Sequence, residues 1–345
     1  MIQIRICIVG VLIALSSPAM DLKKAIDLNG SWRFEIGDRA EYAGVNYDDS
    51  HWDVIRAPGR WEDQGFPGYD GYAWYRRTFI LGDDLKEKKL LLLLGQIDDV
   101  DQVYLNGHLI AGSGHMPPEY STAYNQNRIY ELPPVFLQFG ASNILAIRVY
   151  DDMEAGGIIN GDLGVYIWRD YPELVADLGG YWRFHTGDDL RWRHEQLDDQ
   201  DWDRIVVPLR WELQGYEDYD GYAWYRRSVF LDDTHKGETL ILALGKIDDI
   251  DEVYFNGRRI GGNGHFPARN EEVRNNSCWN RERFYTIPND LIRWDGENAI
   301  AVRTYDAWLD GGIYEGPVGI LTRHEYLRQK KSLKEQFWEI FEGWE

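Results

Sequence analysis

Short clusters of carboxylates are the first residues whose spacing suggests chemistry. Asp98, Asp99 and Asp101 stand together, Asp248, Asp249 and Asp251 repeat them, and Asp151 and Asp152 form a further pair. Two carboxylates on opposite sides of a bond can hydrolyse a glycoside, and clustered oxygen ligands suit a structural calcium. The letters alone select neither. No EF-hand spacing is present, and turn or strand-end acids, some paired with Arg76, Arg77 or Arg148, would read the same way.

A second set combines aromatic and acidic side chains. Trp61-Glu62 and Tyr69-Asp70 precede Trp74, and the same letters return as Trp211-Glu212, Tyr219-Asp220 and Trp224. An indole face stacks on a pyranose and a carboxylate accepts hydroxyl protons, so these residues are candidates for carbohydrate contact. His115 and His265 follow "GSG" and "GNG" and could bond a sugar hydroxyl. Neither has His or Cys neighbours at metal-ligand spacing. A Ser-His-Asp arrangement fails because Ser113 becomes Asn263 in the second copy.

These residues recur because the chain is an internal duplication. "YDGYAWYRR" occurs at Tyr69–Arg77 and Tyr219–Arg227. The stretches beginning at Trp61 and Trp211 agree at 13 of 17 positions, and those beginning at Leu94 and Leu244 at 10 of 14. The offset grows from 150 to 155 through a longer segment in the second copy, "ARNEEVRNNSCWNRER". Boundaries follow: an export signal over 1–19, modules over 26–170 and 171–322, and a C-terminal helix over 323–345.

The elements that must position the candidates are strands. "NILAIRVYDD" alternates Leu145, Ile147 and Val149 against Ala146, Arg148 and Tyr150. Asn106-Gly107 and Asn256-Gly257 lie between alternating arms, the signature of a type I′ hairpin. Short strands punctuated by Gly, Pro and Asp predict an all-β sandwich. Within "YDGYAWYRRTF", Ala73, Tyr75, Arg77 and Phe79 share the face expected to meet the core, and Arg77 there would need a carboxylate. Trp74 lies on the other face with Tyr72 and Arg76, and whether Trp74 and Trp224 meet a cleft or the core is left open. The tail turns helical, with Leu333, Phe337, Ile340, Phe341 and Trp344 on one stripe suited to the second module or a partner chain.

Composition narrows the function classes. A net charge of −21, with no basic stripe, speaks against nucleic acid as a partner. Arg5 followed by the apolar run Ile6–Leu15 and the small residues of "SSPAM" reads as an export signal, so the expected location is periplasmic or extracellular. That run is shorter than the roughly 20 residues a span needs, and no later segment approaches that length. Without the signal, Cys278 is the one remaining cysteine, so no internal disulfide is expected.

"GSWRF", "YDGYAWYRRTF", "LLLLGQIDDVDQVYLNG" and "NILAIRVYD" followed by "GGI" resemble the N-terminal sugar-binding domain of glycoside hydrolase family 2, the β-galactosidase and β-glucuronidase group. The resemblance covers both copies, from about Leu28 to Ile320. It implies two tandem galactose-binding-like jelly rolls. In that family a separate (β/α)8 barrel of about 250 residues carries the catalytic acids, and two modules leave no room for one here. The expected function is therefore non-catalytic binding of a galactoside or other glycan, with no cofactor required and a structural calcium left open. The alternatives are an accessory subunit whose catalytic glycosidase is another chain, and a structural or protein-interaction module docking through the C-terminal helix.

Overall fold

The computed structural model describes residues 20–267, 278–308 and 310–331. The expected export signal, the segment 268–277 and the apolar stripe from Leu333 to Trp344 lie outside the described residues.

In the first half the strands are β1 Leu22–Asp27, β2 Gly30–Ile36, β3 Asp53–Ala57, β4 Gly71–Ile80, β5 Leu90–Asp98, β6 Val100–Leu105, β7 His108–Ser113, β8 Asn127–Glu131, β9 Ser142–Asp151, β10 Gly157–Asn160 and β11 Gly164–Trp168. They form a six-stranded sheet in the order β3-β2-β4-β9-β6-β7 and a second sheet of β1-β11-β5-β10 with β8 also on β5. The second half repeats this with β12 Ala176–Asp177, β13 Gly180–Thr186, β14 Asp203–Val207, β15 Gly221–Leu231, β16 Leu240–Asp248, β17 Ile250–Phe255, β18 Arg258–Asn263, β19 Glu282–Thr286, β20 Gly296–Asp306 and β21 Gly312–Thr322. Its sheets run β14-β13-β15-β20-β17-β18 and β12-β21-β16-β19. The fold is all-β, two antiparallel jelly-roll sandwiches in tandem. Among the described residues no sheet mixes strands of the two halves. Strand β1 begins at Leu22, ahead of the boundary expected at 26, because its backbone pairs with β11.

Alternation along β4 and β9 fills the space between the sheets. Ala73, Tyr75, Phe79, Leu145, Ile147 and Val149 meet Trp32, Phe34, Trp61 and Leu92 in one buried core. Both hairpin turns take the expected left-handed backbone, with φ of 50° at Asn106 and 47° at Asn256. Among the described residues no carboxylate forms an ion pair with Arg77. Its guanidinium leaves the core edge and donates to the carbonyls of Leu28 at 2.8 Å and Asn29 at 3.2 Å. Backbone acceptors satisfy the charge that sequence reasoning assigned to an acid.

The outer face of β4 is covered as well. Tyr42 and Trp52, from the segment between β2 and β3, pack on Trp74 and Ala146. Beneath them Arg76 pairs with Asp49 at 2.7 Å. In the second module Trp202 and Trp192 cover Trp224, and Arg226 pairs with Asp199 at 2.7 Å.

The modules touch where the end of β8 meets β21. Glu131 pairs with Lys89 at 2.7 Å and accepts the Gly316 N–H at 3.2 Å. A helix occupies 323–331. Its Tyr326 lies 4.9 Å from Phe284, beside Leu174 and Leu321 of the second module.

Candidate functional site

The topology draws the acidic residues to one end of each sandwich. Asp98 ends β5, Asp99 carries the chain from one sheet to the other, and Asp151 ends β9. Gly71, at the start of β4, sits opposite Asp151, while Gly157 on β10 sits opposite Asp98. One carboxylate oxygen from each of Asp98, Asp99 and Asp151 falls within 4.8 Å of the others. Asp248, Asp249 and Asp306 repeat the arrangement. The Asp98–Asp99 and Asp248–Asp249 peptide bonds are both cis.

Asp101 and Asp251 belong to a different structure. Each is buried in a salt bridge, Asp101 with Arg128 at 2.7 Å and Asp251 with Arg283 at 2.8 Å. Arg128 also donates to the carbonyls of Ala123, Gln126 and Asp99, so it ties the loop before β8 to the acidic turn. The sequence showed three equivalent acids, but one of them is spent holding the other two in place.

Electrostatics at the turn follow from crowding. Burial and then the charges of Asp98 and Asp99 push the Asp151 carboxyl up to about 8. Burial and the adjoining Asp99 also raise Asp98. Against the burial that opposes it, the Thr122 hydroxyl and the Asp152 N–H hold Asp99 below the usual carboxylate range. In the second module burial and Asp249 raise Asp248, while burial brings Asp306 to about 7 despite the Trp308 N–H. Burial likewise brings Glu212 to about 8.

The sequence-derived sugar contacts separate into scaffold and surface. Trp61 and Trp211 are fully buried, and Trp74 and Trp224 lie under the outer aromatic cover. Stacking on a sugar requires an open ring face, so none of these four indoles can supply it in this fold. Trp61 instead presses on the chain at Gly156, where an added Cβ would lie 2.0 Å from the indole; Trp211 and Gly311 repeat this at 2.1 Å. That contact accounts for the first glycine of the repeated "GGI", while the second, Gly157 or Gly312, takes a positive φ against the Tyr75 or Tyr225 hydroxyl. The Tyr69 hydroxyl accepts from Gly37 at 3.2 Å and donates to the Tyr72 carbonyl at 2.7 Å, and Tyr219 does the same in its module. Glu62 and Glu212 accept the Gly156 and Gly311 N–H groups at 2.9 Å. Asp70, Asp220 and His265 are exposed, and His115 is half-buried with Nδ1 2.7 Å from the Ser121 hydroxyl.

Other aromatics provide the accessible surface. Tyr72 and Tyr150 lie 4.8 Å apart across β4 and β9, with Tyr120 5.6 Å from Tyr150. In the second module Tyr222 meets Tyr305 at 4.7 Å and stacks on Phe266 at 5.7 Å. Trp308 is 73% exposed, and its backbone N–H donates to Asp306 at 3.2 Å. Trp279, half exposed, holds the Tyr314 hydroxyl at its carbonyl. Sequence reasoning passed over Trp308 and Trp279 because neither lies in the motifs that the copies share. The available signal was that difference itself, Trp308 standing where the first copy has Met153. Between the modules is a cleft of about 340 Å³, bordered by Tyr130 and Trp168 on one side and Arg210, Tyr314 and Glu315 on the other.

No protein-family model matches the chain. A β-glucuronidase of Formosa agariphila is 28% identical over 141 residues, 36% of this chain and 13% of that protein. A β-galactosidase of Bacteroides ovatus is 24% identical over 165 residues, 41% of this chain and 17% of that protein. A solved β-glucuronidase of Bacteroides uniformis aligns with 86% of this chain and 28% of its own at 16% identity, with a TM-score of 0.37. The chain thus spans less than a fifth of the curated relatives it matches. The matched portion is related to a part of family 2 glycoside hydrolases, β-glucuronidases and β-galactosidases among them.

Proposed function

We propose that this is an exported, non-catalytic carbohydrate-binding protein whose principal sugar seat is the acidic end of the second module. One observation carries the proposal: Trp308 stands 73% exposed with its backbone tied to Asp306. An exposed indole whose backbone is anchored beside carboxylates offers an apolar face for a pyranose and acceptors for its hydroxyls. Trp279, Tyr305 and Asp220 would extend the contact. The first module supplies Tyr72, Tyr150 and Asp70 in the same place and adds avidity where both ends engage one polymer.

Glycan-array binding by the mature protein tests this. Binding to galactosides or related glycans, weakened roughly tenfold in Trp308→Ala with the fold intact by circular dichroism, is the expected result. Silence across a broad array, or binding indifferent to Trp308→Ala, would sink it. A second reading rests on the relatives being much longer glycosidases: the chain is an accessory subunit of such an enzyme. Co-purification with a separate glycosidase chain, together with silence on the array, would favour that reading.

A further inference from the structure

Asp151 is fully buried, and neither of its carboxylate oxygens has a hydrogen-bond partner. Asp306 is equally buried, with Oδ2 unpartnered. Both reach into clusters where two further aspartates place oxygens within 4.8 Å. An ionised carboxylate that is buried without a partner is strongly unfavourable. Among the described residues no Lys or Arg forms an ion pair with any of the six carboxylates. The nearby Arg128 guanidinium is committed to the Asp101 carboxylate and to carbonyls, including that of Asp99. The buried oxygens of Glu62 and Glu212, Oε2 in each, also lack partners.

We propose that each module binds one calcium ion, held by Asp98, Asp99 and Asp151 in the first and by Asp248, Asp249 and Asp306 in the second. The donors are all oxygen, with no imidazole or thiolate, which selects a hard cation. They come from two strand ends and an intersheet turn, an irregular set that suits calcium better than the strict octahedron of magnesium. Comparison of the two copies supports the assignment. All three aspartates recur, whereas the adjoining rim changes from Asp152-Met153 to Ala307-Trp308. The ion would bind strand ends of both sheets to the crossing between them. Its role is thus to lock the end of the sandwich, independently of whether a sugar binds above it.

The test uses the full chain, stripped with chelator and titrated with calcium chloride at about 0.15 M NaCl to screen the surface acids. Calorimetry should give two equivalents per chain. Tm should rise by roughly 5 °C at about a hundredfold excess over Kd. Asp151→Asn should remove one equivalent, and Asp151→Asn with Asp306→Asn should remove both. These variants relieve repulsion and are expected to fold without calcium, which circular dichroism checks. A wild type with no calcium response overturns the proposal and leaves protonation as the means of neutralising the cluster. A response retained by the double variant overturns it too, by assigning the calcium to other surface carboxylates. One equivalent, lost in Asp151→Asn alone, overturns its duplication. The sugar reading, measured through Trp308, stands or falls separately.

Discussion

The two modules share a frame and differ at its edges. At the acidic ends, the buried aspartates, the Arg128 and Arg283 clamps and the glycine contacts with Trp61 and Trp211 are the same. The solvent side differs, with Met153 in one copy and Trp308 in the other. Along β1 the first module uses charge: Lys24 bonds Asp27 and Asp162. The second has Leu174 and Pro317 at the corresponding positions, and Leu174 joins an apolar cluster with Leu321 of β21 and Tyr326 of the terminal helix. After duplication, packing fixed whatever both cores needed, while positions facing water or a neighbour were free to diverge. A difference between the copies is therefore a better pointer to specialised contact than an identity.

That comparison can be broken most forcefully at the shared core. Trp61→Ala and Trp211→Ala should each cost about 3–5 kcal/mol in their own module, read as matching shifts in urea unfolding. Unequal losses would show that the two frames are not equivalent. Asp101→Asn and Asp251→Asn should be of similar size, about 3–5 kcal/mol, because each leaves a buried guanidinium without its counter-charge. A loss below about 1 kcal/mol in either would remove these pairs as clamps of the acidic turn.

Effects at the rim should be smaller and one-sided. Trp308→Ala should weaken glycan binding roughly tenfold, the value of one lost stacking contact, and Met153→Ala should leave it unchanged. Equal losses would return the sugar seat to features common to both modules. The smallest effect belongs to the charged pairs along β1. Lys24→Ala should destabilise only the first module, by less than about 1 kcal/mol, since the pair is partly solvated. Bonds from Lys24, Asn29 and Tyr166 hold the Asp162 carboxyl down at about 2. A depressed carboxylate stabilises the fold above its unfolded value near 4 and loses that contribution as pH falls towards 2. The wild-type advantage over Lys24→Ala should therefore be constant at neutral pH and vanish in acid. An advantage that persists at pH 2 would assign it to packing of the lysine stem.

Local order was legible in the letters, and its terms were local. Asn106-Gly107 demanded a left-handed turn, and alternation assigned Tyr75 and Phe79 to the interior face. The site was less legible because contact across the sandwich decides it. Trp74 has the periodicity of an outward-facing residue, yet Tyr42 and Trp52 cover it from a segment that carries no period of its own. Asp98, Asp99 and Asp101 look alike in sequence; only Arg128, brought from β8, separates the clamp from the cluster.

Sequence by itself determined the duplication, the strand class and the turns, because each depends on residues a few positions apart. Tertiary structure decided which aromatic rings meet water and which carboxylates are left without partners. Those outcomes depend on strand ends more than 50 residues apart, such as Asp98 and Asp151, meeting where one sheet gives way to the other.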